Sequence, residues 1–286
     1  MVNYLQIVRQ RPQLIETEMR IIFLSLIFLG LFSCKESSSV KADKNNSEVL
    51  SEKIIQSKYP DALDRVFKAH GGLQNWTKKK VLVYDLPKAG YTEIHTTDLI
   101  TRMDKIVSPD YSLGFDGKHV WLLDKYGSYK GDPVFYHNLM FYFYAMPFVL
   151  ADDGIIYGET TNLIFEGKSY PGISISYDSG VGTSPKDEYF LHYDPQTYQM
   201  AWLGYTVTYN SGEKSDNVKW IRYDQWMEVT NIILPKAMTW YAYEGKVIKE
   251  AKNTVQFDNI VLSETSKPET FYAMPEGSKI IERPQQ

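Results

Sequence analysis

Cys34 is the only cysteine in 286 residues, so neither a disulfide nor a thiolate metal site can support the fold. The five histidines (His70, His95, His119, His137, His192) show no pair at metal-ligand spacing, and no HExxH, Asp-rich loop or Gly-x-Ser-x-Gly occurs. Gly180-Val181-Gly182 is not followed by glycine at the dinucleotide-fingerprint position. No metal, cofactor or nucleotide is therefore implied. With a net charge of −4 and no basic cluster beyond Lys78-Lys79-Lys80, the chain lacks the concentrated positive face that nucleic acid requires. Those lysines are read as flanking a strand.

Long apolar runs are also scarce. The run Ile21 to Phe32 has twelve residues, short of the roughly 20 that span a bilayer but suited to the core of an export signal. It leads into Leu31-Phe32-Ser33-Cys34, with a leucine three before the cysteine and a small residue next to it. This is the shape of a bacterial lipoprotein processing site, in which Cys34 is lipidated and becomes the first residue of the mature chain. Residues 1–33 are thus expected to be the signal peptide, with Met19-Arg20 a more compact start than Met1. Removing them takes out Arg9, Arg11, Arg20, Glu16 and Glu18 and leaves a net charge of about −5. Acyl chains on Cys34 at about 0.8 kcal/mol per buried methylene give firm anchoring. Lys35-Glu36, with no aspartate beside the cysteine, points to the outer membrane, facing the periplasm or the cell surface.

Residues 34–46 are polar and read as a flexible tether, and 47–286 as one domain without internal repeats. Ser47 can cap a helix with Val49, Leu50, Ile54 and Ile55 at helical spacing. After Pro60 a second stripe (Leu63, Val66, Phe67, Ala69) runs to Gly71-Gly72, a helix stop, with Trp76 sealing it. His70 at that end is read as a cation favoured by the helix dipole.

From Lys79 the period becomes 2. Strands are expected near 80–86, 91–99, 101–107, 111–115, 119–124, 155–165, 171–178, 187–194, 198–209, 218–228, 232–243 and 247–262. Tight connections fall at Asp116-Gly117-Lys118, Asp194-Pro195-Gln196-Thr197 and Glu244-Gly245-Lys246, making neighbours antiparallel. His95 and His192 fit strand positions beside Glu93 and Asp194. One segment breaks the run: Pro133 to Ala151 is apolar nearly all round. His137, Asn138 and Pro147 make it a poor membrane span, and it reads as a buried helix covering a cavity.

Aromatic residues crowd the C-terminal strands. Alternation in 218–229 puts Ile221, Tyr223 and Met227 on one face and Trp220, Arg222 and Trp226 on the other. The first set, with Trp240 and with Phe141, Phe143 and Met146 of the inserted segment, is assigned to an apolar cavity. Two rival readings remain at this point. Exposed Trp220 and Trp226 would suit glycan binding or envelope assembly, and an active site could be assembled from histidines and acids only in the folded chain.

Four motifs in order, Ala69-His70-Gly71-Gly72 with Trp76, Phe115-Asp116-Gly117-Lys118-His119-Val120-Trp121, Tyr193-Asp194-Pro195 and Phe271-Tyr272-Ala273-Met274-Pro275, resemble an uncharacterised lipoprotein family of Bacteroidota-type bacteria. That family is related to the LolA/LolB lipoprotein-carrier superfamily, and the resemblance covers roughly Ser47 to Ile281. It implies a mainly β (α+β) fold: a strongly curved, half-open antiparallel β-barrel with an N-terminal helix and an inserted apolar helix covering the concave face. It also implies a cavity that receives an acyl chain, lipid or lipidated partner, and the protein is expected to be a non-enzymatic monomer.

Overall fold

A computed structural model describes residues 57–178, 186–209 and 212–282. Cys34, the signal, the tether, the helix expected after Ser47 and Gly180-Val181-Gly182 lie outside the described residues.

Helix α1 (Asp61–Ala69) begins directly after Pro60, with Asp61 and Asp64 in its first turn and Lys68 in its last, the charge order that complements the helix dipole. Leu63, Val66 and Phe67 are buried on its inner side. Gly71 and Gly72 have φ of 101° and 85° and end it as expected. A Cβ on Gly71 would strike the carbonyl of Asn231, so only glycine allows this approach. Helix α2 (Leu73–Trp76) then delivers Trp76 onto Phe148, with stacked rings 4.6 Å apart.

The strands follow: β1 (Val81–Lys88), β2 (Tyr91–Asp98), β3 (Asp104–Val107), β4 (Tyr111–Phe115) and β5 (Val120–Asp124). After the inserted segment come β6 (Ile155–Glu159), β7 (Leu163–Phe165), β8 (Lys168–Tyr170), β9 (Gly172–Tyr177), β10 (Tyr189–Tyr193), β11 (Met200–Tyr205), β12 (Lys219–Val229), β13 (Ile232–Glu244) and β14 (Val247–Gln256). Then β15 (Asp258–Ser263) and β16 (Lys279–Ile281) complete the described strands. They form two seven-stranded sheets, ordered β15-β1-β2-β3-β4-β5-β16 and β14-β13-β12-β11-β10-β9-β6, with β7-β8 as a separate hairpin. All the pairings are antiparallel.

The mainly β, antiparallel architecture is as expected, but the sheets are not closed into a barrel. The expected single strand 247–262 explains why there are two sheets. It runs as β14 on the edge of one sheet, turns at Phe257, and continues as β15 on the edge of the other. Phe257 is buried at the bend, its ring 4.2 Å from Tyr144 and 5.4 Å from Tyr84.

The expected strand 155–165 likewise divides. Glu166 and Gly167, both at positive φ, turn β7 into β8, and this hairpin lays Phe165 4.7 Å from Trp202 and 5.7 Å from Tyr241. A second small core of Tyr170, Trp202, Val218 and Trp220 forms there. On the first sheet, Trp121 lies beside Gly114, where a side chain would meet its ring, and donates from Nε1 to the Tyr272 carbonyl at 3.2 Å. The closing Phe271-Tyr272 motif therefore covers that face. Lys79, of the lysine triplet, is buried against Glu264 at 2.7 Å.

Two histidines depart from their expected roles. His70 is buried; Nδ1 donates to the Ile233 carbonyl at 3.2 Å, and Nε2 accepts from the Met200 N–H at 3.0 Å. The ring is a neutral cross-brace between α1, β11 and β13, not a cation, and burial lowers its pKa to about 4. His192 bonds the Tyr170 carbonyl at 3.1 Å instead of Asp194, which takes Lys168. Burial lowers its pKa to about 4 as well.

Both pKa values lie below the unfolded value near 6.5, so this stability is complete above pH 6.5 and is lost as pH falls toward 4. The loss between pH 7 and pH 5 is about 2 kcal/mol for each ring. Urea unfolding at the two pH values measures it, and His70→Gln should remove that ring's share, about 2 kcal/mol, of the pH-dependent part. An unchanged pH dependence in that variant would contradict the assignment.

Candidate functional site

The inserted segment is not one helix. It is α3 (Pro133–Tyr136), α4 (Leu139–Tyr144) and a 3-10 turn, Phe148–Ala151. Asp132 caps α3 by accepting from the Val134 and Phe135 N–H groups at 2.9 and 3.3 Å, with Pro133 at the first position. Pro147 cannot continue α4. Each break exposes carbonyls that need donors, and surrounding tyrosines supply them. Tyr223 donates to the Phe143 carbonyl at 2.9 Å, Tyr157 to Leu150 at 2.6 Å, and Tyr59 to Ala151 at 3.3 Å.

Beneath these ties the segment is apolar. Met140, Phe141, Phe143, Tyr144, Met146, Phe148, Val149 and Leu150 are buried in one core with residues of both sheets and of α1. Phe143 lies 4.9 Å from Tyr205 and 5.8 Å from Trp240, while Tyr144 lies 4.7 Å from Tyr84. Of the residues assigned to a cavity, Phe141, Phe143, Met146, Ile221 and Tyr223 come together here. Trp240 packs half-buried against them and donates from Nε1 to the Tyr205 hydroxyl at 3.0 Å. Met227 is half-buried outside this cluster.

The alternation that paired Met227 with Tyr223 fails because β12 and β13 slip register between Arg222 and Trp226, as β-bulges do. Trp226 consequently stacks on Tyr223 at 5.8 Å and packs edge-on with His70, the ring centres 4.5 Å apart. Trp220 is buried under the β7-β8 hairpin. Neither ring forms the exposed, co-planar platform that the glycan reading needed.

Polar contacts fasten the rim of the segment to the first sheet. His137 Nδ1 and Asp104 Oδ2 are 2.6 Å apart, and both residues are buried. Burial raises the Asp104 pKa, against the lowering effect of His137. Tyr136 donates to Glu93 at 2.6 Å, and Glu93 also accepts from Tyr111 at 2.5 Å and pairs with His95 at 3.1 Å. Burial alone would raise the Glu93 pKa, but bonds from His95, Tyr111 and Tyr136 and the charge of Lys88 hold it down at about 2. At the other end, Arg102 reaches Asp152 at 2.6 Å and sits over the Phe141 ring at 5.1 Å. Next to this contact a cleft of about 350 Å³ opens, with Trp76, Leu99 and Phe148 as apolar lining and Lys79, Arg102 and Asp152 as polar lining. The apolar segment and the pairing of His95 with Glu93 were legible in the sequence; Arg102 and Asp104 were not, because their partners, Asp152 and His137, lie far away along the chain.

Among the described residues no group of three or more His, Cys, Asp or Glu could hold a metal ion, and no helix is long and apolar enough to cross a membrane.

Residues 130–255, from the start of the inserted segment to the end of β14, match a family of unknown function, DUF6503. No curated protein matches the chain. Among solved structures it is similar to a LolA superfamily protein from Nitrosomonas europaea, at 8% identity and a TM-score of 0.44, covering 74% of this chain and 96% of that one. It is also similar to a DUF1329 family protein from Desulfovibrio piger, at 11% identity and a TM-score of 0.46, covering 74% and 95%.

His137→Ala should lower the unfolding free energy by about 3 kcal/mol, because it strands a buried carboxylate. Asp104→Asn combined with His137→Ala removes the charge with its partner and should recover part of that loss. Urea unfolding of both variants checks this; equal losses would contradict a coupled Asp104–His137 pair.

Proposed function

We propose that this protein is a lipid-anchored, non-enzymatic lipoprotein that binds an acyl chain, lipid or lipidated partner between its two sheets. In this reading the sheets, joined through the β14-β15 arm, act as one curved, half-open surface, and the broken segment 133–151 is its cover. The observation that carries the reading is the construction of that segment. Its underside is a row of buried rings and aliphatic side chains, and its polar attachments are side-chain contacts.

Such a cover exchanges with an acyl chain on similar terms. Burial contributes about 25 cal/mol per Å² to either occupant, so displacing rings by a chain leaves the apolar balance nearly level. Ile221, Tyr223, Trp240, Phe141, Phe143 and Met146 would line the space. The cleft beside Arg102 suits the entry, with apolar side chains for the tail and charged ones for a headgroup.

The test is uptake of a fluorescent fatty acid by the full chain in a lipid-free detergent. The expected result is about one probe per chain, a one-site reading, with uptake several-fold faster after Arg102→Ala frees one end of the cover. Absence of uptake by either folded protein would contradict the reading.

Anchoring is proposed through Cys34, at the outer membrane. Cys34→Ser should leave the protein out of the membrane fraction and unlabelled by radioactive palmitate. Continued labelling would reject Cys34 as the lipidated residue.

A further inference from the structure

A second cleft, of about 370 Å³, opens beside the Tyr136 end of the cover and has chemistry unlike the first. Four tyrosines wall it in a chain of ring contacts: Tyr91 to Tyr111 at 6.5 Å, Tyr111 to Tyr129 at 4.9 Å and Tyr129 to Tyr136 at 6.4 Å. Glu93, itself buried, lies among them, and the Lys88 ammonium reaches in from the end of β1. That ammonium stands 3.3 Å from Glu93 Oε2, 2.8 Å from the Tyr136 hydroxyl and 5.3 Å from the centre of its ring.

We propose that this cleft is a binding site for a small ammonium group, carried by a free amine or by an aminophospholipid headgroup, and that Lys88 occupies it in the chain alone. The proposal does not rest on the acyl-chain reading, because the probes below carry no acyl chain. A carboxylate at close range and aromatic rings around it are the two features that recognise an ammonium ion, the rings through their negative faces. Lys88 shows part of that fit with the chain's own cation, its ammonium meeting the Glu93 carboxylate and the Tyr136 hydroxyl at the edge of the ringed cleft. Its side chain is about a third exposed, so it can turn back to water at small cost.

A purely structural tie between α3 and the first sheet would account for Tyr136, Tyr111 and His95 around Glu93. It would not account for Tyr129, which adds a ring to the wall and packs on both Tyr111 and Tyr136, nor for a cleft left open beside the carboxylate. An anion fits less well. The buried fixed charge is negative, and the two lysines of the cleft are engaged, Lys88 with Glu93 and Lys130 with the Gly127 carbonyl at 2.6 Å.

The test is calorimetric titration of the full Cys34→Ser chain with methylammonium and with tetramethylammonium. Lys88→Met removes the internal competitor and should tighten binding about tenfold, roughly what one displaced ion contact is worth. Tyr129→Leu leaves the bonds to Glu93 in place and should weaken binding at least fivefold, a cation–π-sized effect. Far-UV circular dichroism and melting confirm that each variant is folded. If folded Lys88→Met binds no ammonium, or Tyr129→Leu binds as the parent does, the proposal is overturned and the network is only a tie. Vesicles containing phosphatidylethanolamine, set against phosphatidylglycerol vesicles, assign the source. Retention on the first alone identifies a headgroup, and ammonium binding without vesicle preference identifies a free amine.

Discussion

Burial of the 140–150 stretch between two sheets is the contact on which the rest of the molecule depends. Each buried Phe or Met contributes roughly 1.5–3 kcal/mol, against about 1 kcal/mol for a hydrogen bond such as that from Tyr223 to the Phe143 carbonyl. The rings therefore hold the segment in place, while the tyrosine, Asp104 and Arg102 contacts fix where it sits. The same rings tie the architecture together. Tyr144 meets Phe257 at the bend where one strand leaves one sheet for the other, and Phe148 meets Trp76 at the end of the N-terminal helices. Without the segment, the inner faces of both sheets would present apolar side chains to water.

Buried histidines and carboxylates stand around this core. His70 holds β11 and β13 to the end of α1 as a neutral ring, and Glu93 and Asp104 hold the inserted segment at two adjacent residues, Tyr136 and His137. Burying charge is costly unless it is fully partnered, and Glu93 meets that condition with four donors from β1, β2, β4 and α3. The arrangement gives the rim of the 133–151 segment specificity of position, and the apolar underside gives it most of its binding energy.

Much of this was legible in the sequence, for identifiable reasons. Gly71-Gly72, Asp116-Gly117 and Glu244-Gly245 mark turns by backbone chemistry that holds wherever it occurs, and the elements beside them fall within a few residues of expectation. The apolar character of 133–151 was equally plain, as was its burial. Its division into three pieces was not, because the stabilising donors, Tyr59, Tyr157 and Tyr223, come from other elements. The turn at Thr230-Asn231, with both residues at positive φ, falls between the expected strands 218–228 and 232–243 although it carries no glycine. The register slip after Arg222 reversed the expected places of Trp226 and Met227, since strict alternation holds only where no residue is extra. His70 was misread for a similar reason: a helix end predicts a cation only if the site is wet, and here Ile233 and Met200 close over it.

The most direct measurement is amide hydrogen exchange of the full chain with and without a fatty acid. If the segment is a cover that an acyl chain displaces, amides of 139–151 are protected in the chain alone and lose that protection on adding the fatty acid, while those of β10 to β13 keep theirs. Protection of 139–151 that stays the same at saturating fatty acid would contradict the account and make the segment a permanent part of the core.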